Sequence, residues 1–216
     1  MKKLIVIDAG NSDIVVALIL NFKITKIYRC KTKVFKNIKD IKSLKYKLFS
    51  FLNKRTDKNF NVPSIISSVV PEINNKLSKI CLSFFNKKPI FVSSDKISLN
   101  INIKIKIKKQ KELGSDRIAN TVAVKRYYKY PAIIVDFGTA TTFDVIDKSG
   151  DYIGGLIAPG INLSLDSLYR KTSKLPLIKL KKTKKVIGKS TISAMQNGIY
   201  WGYIGLVSFL IKKIKL

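Results

Sequence analysis

Two stretches of this chain, LIVIDAGNSDIVVAL (residues 4–18) and AIIVDFGTATTFDVI (residues 132–146), share one layout. With Asp8 laid on Asp136, an offset of 128 positions, Gly10 falls on Gly138 and the apolar runs coincide. Each reads as a strand, an Asp-x-Gly turn carrying hydroxyl or amide side chains, and a second strand. A repeat of this kind predicts a duplicated unit of three strands plus helices. The chain has 216 residues and is 46% hydrophobic, enough for one large domain or two small ones with real cores.

The rest of the pattern fits a duplication. KLIVIDAGNSDIVVALILNFKITKIYRCK predicts three strands, broken at Gly-Asn-Ser and at Asn21-Phe22-Lys23. Ile41, Leu44, Leu48, Phe49 and Leu52 have helical spacing. VPSIISSVVP reads as a short buried strand, PEINNKLSKICLSFF as a helix opened by Pro-Glu, and KPIFVSS as another strand. A polar, lysine-rich stretch at about 95–112 separates the halves, giving expected domains at 1–112 and 113–216. The second half runs through a helix at GSDRIANTVAVKRYY, three strands, a helix at NLSLDSLYRKTSKL, a lysine-rich loop and a final helix at TISAMQNGIYWGYIGLVSFLIKKI.

Composition removes whole classes of chemistry. With no His, catalysis by Ser-His-Asp or Cys-His and His-ligated zinc are excluded. The two cysteines, Cys30 and Cys81, lie far apart with no CxxC, which fits a reducing cytoplasm. Only 13 Asp and Glu stand against 42 Lys and Arg, a net charge of +29, so each carboxylate in an apolar context carries weight. The lysines are spread along almost the whole chain among Ile and Asn, which reads as a solvated basic surface with nonspecific attraction to polyanions. No membrane span is expected: Asp8 and Asn11 interrupt the first apolar run, and GIYWGYIGLVSFLI falls short of the ~20 residues a span needs.

An Asp at a strand end beside a Gly turn puts a carboxylate at the rim of a sheet. Gly lets the backbone approach a ligand, turn amides can cradle phosphate oxygens, and the Asp can hold a cation directly or through water. Either turn alone reads more simply as a hairpin. Two related turns with apolar flanks favour a clamp on a nucleotide phosphate chain. Neither is a Walker or dinucleotide loop, since GxxxxGK[ST] and GxGxxG are both absent. A third element, LGSDRIAN, places Asp116 in the first turn of a helix, where the helix N-terminus favours its ionised form, with Arg117 beside it. Ser115 or Asp116 can serve as a simple helix cap there. As chemistry, Asp116 can take the proton from an attacking hydroxyl while Arg117 holds a polar substrate.

Taken together and in order, DAGNS, SSVVPE, GSDRIAN, VDFGTATTFDVID, GGLIAPGINLSLDSLYRKTSKLP and TISAMQNGIYWGYIGLV resemble the type III pantothenate kinases over nearly the whole chain. The resemblance implies an α/β protein with the acetate and sugar kinase/Hsc70/actin fold, two ribonuclease-H-like halves with mixed sheets flanked by helices. It implies phosphorylation of pantothenate by ATP, the first step of coenzyme A synthesis, in a cytoplasmic homodimer. It also implies Mg2+ or another divalent cation and K+ or NH4+ as cofactors. By motif, Asp8, Ala9, Gly10, Asn11, Ser12, Asp13, Ile14 and Val15 correspond to the first ATP-binding turn, and Thr139 to a further ATP contact. Asp116 corresponds to the catalytic base, with Gly114, Ser115, Asp116, Arg117 and Thr191 as substrate contacts. Asp136 corresponds to the monovalent-cation ligand.

Some positions depart from the family pattern. GNS stands for the usual GNT and GSD for the usual GAD. Ile107 and Lys109-Gln110 stand where the family commonly has a Tyr and an Asn-Pro pair. The chain stops at IKKIKL, before the strand, Thr-Gly-Gly turn and helix that close the family's second half, so that half is expected to be shortened. The alternative is a non-catalytic relative that binds nucleic acid or a partner through its basic charge. Asp8, Asp116 and Asp136, all present, speak for the kinase.

Overall fold

The computed structural model describes residues 2–36, 61–95 and 102–214. The helix expected around Ile41–Leu52 lies outside the described residues. The chain forms two compact units, one of Met1–Ile103 with Lys108–Ala123, the other of Lys104–Ile107 with Val124–Leu216.

The first unit is built on a five-stranded sheet of order β3-β2-β1-β4-β5. β1 (Lys3–Ala9), β2 (Asp13–Leu20) and β3 (Lys23–Lys31) form an antiparallel meander. The β2–β3 turn uses Asn21 and Phe22 at φ 48° and 65°, a left-handed pair that suits a tight hairpin. A short helix, α1 (Lys33–Lys36), follows. β4 (Ser64–Ser68) adds in parallel to the other edge of β1, and β5 (Ile90–Phe91) adds to β4.

Alternation sorts β1 into two faces. Ile5, Ile7 and Ala9 turn inward with Ile14, Val16 and Leu18 of β2 and Ile66 of β4. Helix α2 (Pro71–Phe85) covers this face with Ile73, Leu77, Ile80, Cys81, Phe84 and Phe85. The helix starts with Pro71, whose missing N–H costs nothing there, and stops at Asn86, which takes a left-handed φ of 51°. Each large side chain so buried contributes about 1.5–3 kcal/mol. The opposite face carries Asp8 and Ser67, neighbours across the β1–β4 pair.

The second unit contains an antiparallel sheet of β6 (Ala132–Phe137), β7 (Ala140–Ile146) and β8 (Tyr152–Pro159), in that order. β7 is central and buried from Phe143 to Ile146, Asp144 included. Residues 104–106, inside the stretch the sequence marks as a polar separator, run parallel to β8 at Tyr152. The Lys106 N–H donates to the Tyr152 carbonyl at 2.7 Å and the Tyr152 N–H to the Lys104 carbonyl at 3.0 Å. Helix α4 (Ile161–Lys171) and helix α5 (Thr191–Lys213) complete the unit. The lysine-rich loop between them is pinned to α5, with Gln196 Nε2 donating to the Lys179 carbonyl and Trp201 Nε1 to the Lys185 carbonyl. Among the described residues no helix is long and apolar enough to cross a membrane.

Candidate active site

The first turn is built by its own backbone. The Gly10 N–H donates to the Asp13 carbonyl at 3.0 Å, closing a tight loop over Asn11 and Ser12. Buried Thr32 clamps it from below: its hydroxyl donates to the Gly10 carbonyl at 2.6 Å and its N–H to the Ser12 carbonyl at 3.0 Å. A side chain at Gly10 would stand 3.3 Å from the Asp13 carbonyl oxygen, so glycine keeps the turn closed. Asp8, Asn11 and Ser12 are exposed at the rim, whereas Ala9 and Ile14 are wholly buried and can offer a ligand only main-chain atoms. Asp13 is held by Lys31 at 2.9 Å, and Val15 faces Asp8 across the β1–β2 pair.

The same unit carries the Gly-Ser-Asp-Arg element. Helix α3 (Ser115–Tyr127) begins there, with the Ile118 N–H donating to the Gly114 carbonyl. Ser115 is buried, and its hydroxyl lies 3.2 Å from that of Ser67, the β4 residue paired with Asp8. Asp8, Ser67, Ser115 and Asp116 thus follow one another from the sheet to the helix. Asp116 Oδ1 accepts from the Arg117 N–H at 2.8 Å and folds back over Gly114, where an added Cβ would stand 2.5 Å from that oxygen. A side chain at Gly114 would push the carboxylate out of this position. Asp116 remains half-buried in the first turn of the helix.

The remaining candidates lie in the second unit. Asp136 and Thr139 are exposed at the β6–β7 turn, with Asp136 opposite Thr142. The Gly138 N–H donates to the Ala140 carbonyl, and the Gly160 N–H to the Thr139 carbonyl, each at 3.0 Å. Any side chain at Gly160 would run into the backbone of Gly138 and Thr139, so this glycine lets α4 start hard against the turn. The Tyr203 hydroxyl, 2.7 Å from both the Pro159 carbonyl and Ser164 Oγ, ties α5 to the same corner. Thr191 is the exposed first residue of α5, capped by Ser190 and Ser193 in a reciprocal box.

The sequence pattern assigns no role to Ser67, Gly160 or Tyr203. The available signals are a hydroxyl interrupting the apolar run of β4 and a glycine directly before a helix. Ile107 lies with the second unit, while Lys109 and Gln110 lie with the first, Gln110 opening a short 3-10 turn that ends at Glu112.

The family model for type III pantothenate kinase matches residues 4–213. A type III pantothenate kinase of Paramagnetospirillum magneticum is 40% identical over 214 residues, covering 98% of this chain and 80% of the relative. One from Geotalea uraniireducens is 39% identical over 212 residues, covering 98% and 81%. A crystal structure from Campylobacter jejuni, described as a conserved Baf family transcriptional activator, matches with a TM-score of 0.53 at 19% identity, covering 94% of this chain and 77% of that one. At that identity it shows the fold alone. The match along almost the whole chain and the motifs in their family order establish that this chain belongs to the type III pantothenate kinase family.

Proposed function

We propose that this chain transfers the γ-phosphoryl group of ATP to pantothenate, giving 4'-phosphopantothenate for coenzyme A synthesis. The observation that carries the reading is the placement of Asp116 beside the phosphate turn of its own unit, through the Asp8–Ser67 pairing and the Ser67–Ser115 contact. Phosphoryl transfer needs alignment and charge neutralisation more than covalent chemistry. The Gly10–Asp13 turn offers main-chain amides to phosphate oxygens. Asp116 accepts the proton of the attacking hydroxyl, and Arg117 holds the polar acceptor. Gly114 and Ser115 set the position of that carboxylate, and Thr191 and Thr139 contribute to acceptor and nucleotide binding.

A divalent cation, Mg2+ in this reading, would neutralise phosphate charge. Among the described residues no three Cys, Asp or Glu gather into a metal cluster. The exposed carboxylate of Asp8 fits an ion held by one carboxylate, water and substrate phosphates. Asp136, with Thr139 and Thr142 near it, offers the hard oxygen donors a potassium or ammonium ion takes. Two copies associate in the cytoplasm in this reading. Ile204, Phe209 and Ile211, exposed along α5, supply apolar surface suited to such a contact.

The test is a coupled assay with ATP, pantothenate and Mg2+. Turnover that appears with potassium or ammonium and is lost with sodium supports both the reaction and the role of Asp136. Absence of pantothenate-dependent ADP release under all these conditions overturns the proposal.

A further inference from the structure

Each unit closes its Asp-x-Gly turn with the same main-chain bond. The residue directly after the third strand donates its N–H to the carbonyl of the residue directly before the second strand. Thr32 follows β3 and donates to Ser12 at 3.0 Å, and Gly160 follows β8 and donates to Thr139 at 3.0 Å. This shared bond belongs to the repeated fold. The first unit adds one that the second cannot make. The Thr32 hydroxyl donates to the Gly10 carbonyl at 2.6 Å, whereas Gly160 has no side chain and no room for one. Thr32 is 1% exposed, so both of its donors serve the turn from inside the protein.

The extra bond has a consequence for an anion. A trans peptide points its C=O and its N–H in opposite directions. With the Gly10 carbonyl held on the Thr32 hydroxyl, the Asn11 N–H is directed away from Thr32. With the Ser12 carbonyl held on the Thr32 N–H, the Asp13 N–H is directed away from it as well. Amides so turned attract phosphate oxygens, and a rotated peptide would offer them a repelling carbonyl instead. We infer that Thr32 is a positioning residue for nucleotide binding, its hydroxyl holding the Gly10–Asn11 peptide with the N–H toward the phosphates and the carbonyl away from them. ATP as the ligand follows the kinase reading above, on which this role rests. Thr32 touches neither substrate and acts through the turn. The second unit closes its own turn by the main-chain bond alone, so loss of the hydroxyl should spare the fold and weaken the grip on the phosphate chain.

The test compares the intact chain with Thr32→Val, which keeps the shape and loses the hydroxyl donor, and with Thr32→Ser, which keeps the donor. ATP with Mg2+ is titrated by calorimetry, and KM is measured for ATP and for pantothenate. Valine should weaken ATP binding about fivefold or more, and raise KM for ATP to match, while KM for pantothenate stays within about twofold. Serine should keep ATP binding within about twofold of the parent. In the parent chain ATP should slow amide exchange at Asn11 about tenfold or more, and adenosine should not. That readout stands even where the valine variant does not fold. Three results overturn the role of Thr32: a smaller loss of ATP affinity in Thr32→Val, a loss in Thr32→Ser as large as in Thr32→Val, or Asn11 exchange unaffected by saturating ATP. ATP binding that depends on Thr32 in this way, without ADP release on adding pantothenate, would sink the acceptor proposed above and leave the role of Thr32 supported.

Discussion

Asp116 and Ser115 are adjacent in sequence and answer to different constraints. Asp116 is half-buried with one oxygen engaged by the Arg117 N–H, and the proposed reaction asks it to take a substrate proton. Asp116→Asn keeps size and removes the proposed base. Turnover should fall about 10²-fold or more while ATP binding by calorimetry stays within about twofold. Ser115 is buried against Ser67. Ser115→Ala leaves the Ser67 hydroxyl buried without that partner, a loss of about 1–3 kcal/mol. Replacing both serines by alanine should cost less than the sum of the single changes, measured as urea midpoints in a double-mutant cycle. A sum that is fully additive would show that the two hydroxyls do not interact. The helix start at Ser115 and Asp116 was legible because helix starts leave local marks. Ser67 was not, because its meaning arises from a residue 48 positions away.

At the scale of elements, the 104–106 strand is held to the β7–β8 turn by charge. Lys106 Nζ lies 2.6 Å from Asp147 Oδ2 and 3.0 Å from Asp151 Oδ2, and the Lys104 N–H donates to Asp151 Oδ1. The Lys106 ammonium, with N–H donors from Asp151 and Ser149, holds the Asp147 carboxyl down at about 2. Burial pushes Asp151 up, but the Lys104 N–H and Lys106 outweigh it, leaving that carboxyl below its usual range. Both folded-state values are depressed, so their stabilisation is present above the ordinary carboxylate range and is lost as pH falls toward 2. Asp147→Asn should therefore lower the urea midpoint at pH 6, with the difference from the parent shrinking below about pH 4 and vanishing only below about pH 2. Most strands and helices here were legible. β-branched alternation marked β1–β3, Pro-Glu marked the start of α2, and spacing marked α3 and α5. The pairing at Tyr152 was not: IKIKIKK alternates as a strand does, and Ile103 and Ile105 are buried, but its lysines read as a polar separator and the carboxylates that hold it lie more than forty positions downstream.

For the whole molecule, 42 Lys and Arg stand against 13 Asp and Glu, so acidic partners exist for only a minority of the cations. A basic surface of this kind attracts polyanions without reading sequence. Duplex DNA should bind with no preference between unrelated sequences and weaken by about 10³-fold from 50 to 200 mM salt if about six phosphates are engaged. Fluorescence anisotropy with two unrelated duplexes checks this, and a preference that survives at the higher salt would assign the charge a dedicated role. The two units also interleave along the chain, since 104–107 leaves the first unit and 108–123 returns to it. A nascent chain that has emerged only through Ile103 has all five strands of its first sheet but neither the serine that meets Ser67 nor the glycine beside Val69. Synthesis from the N-terminus therefore cannot finish the first unit before it has begun the second, and Ser115 and Asp116 are among the last pieces of the first unit to arrive.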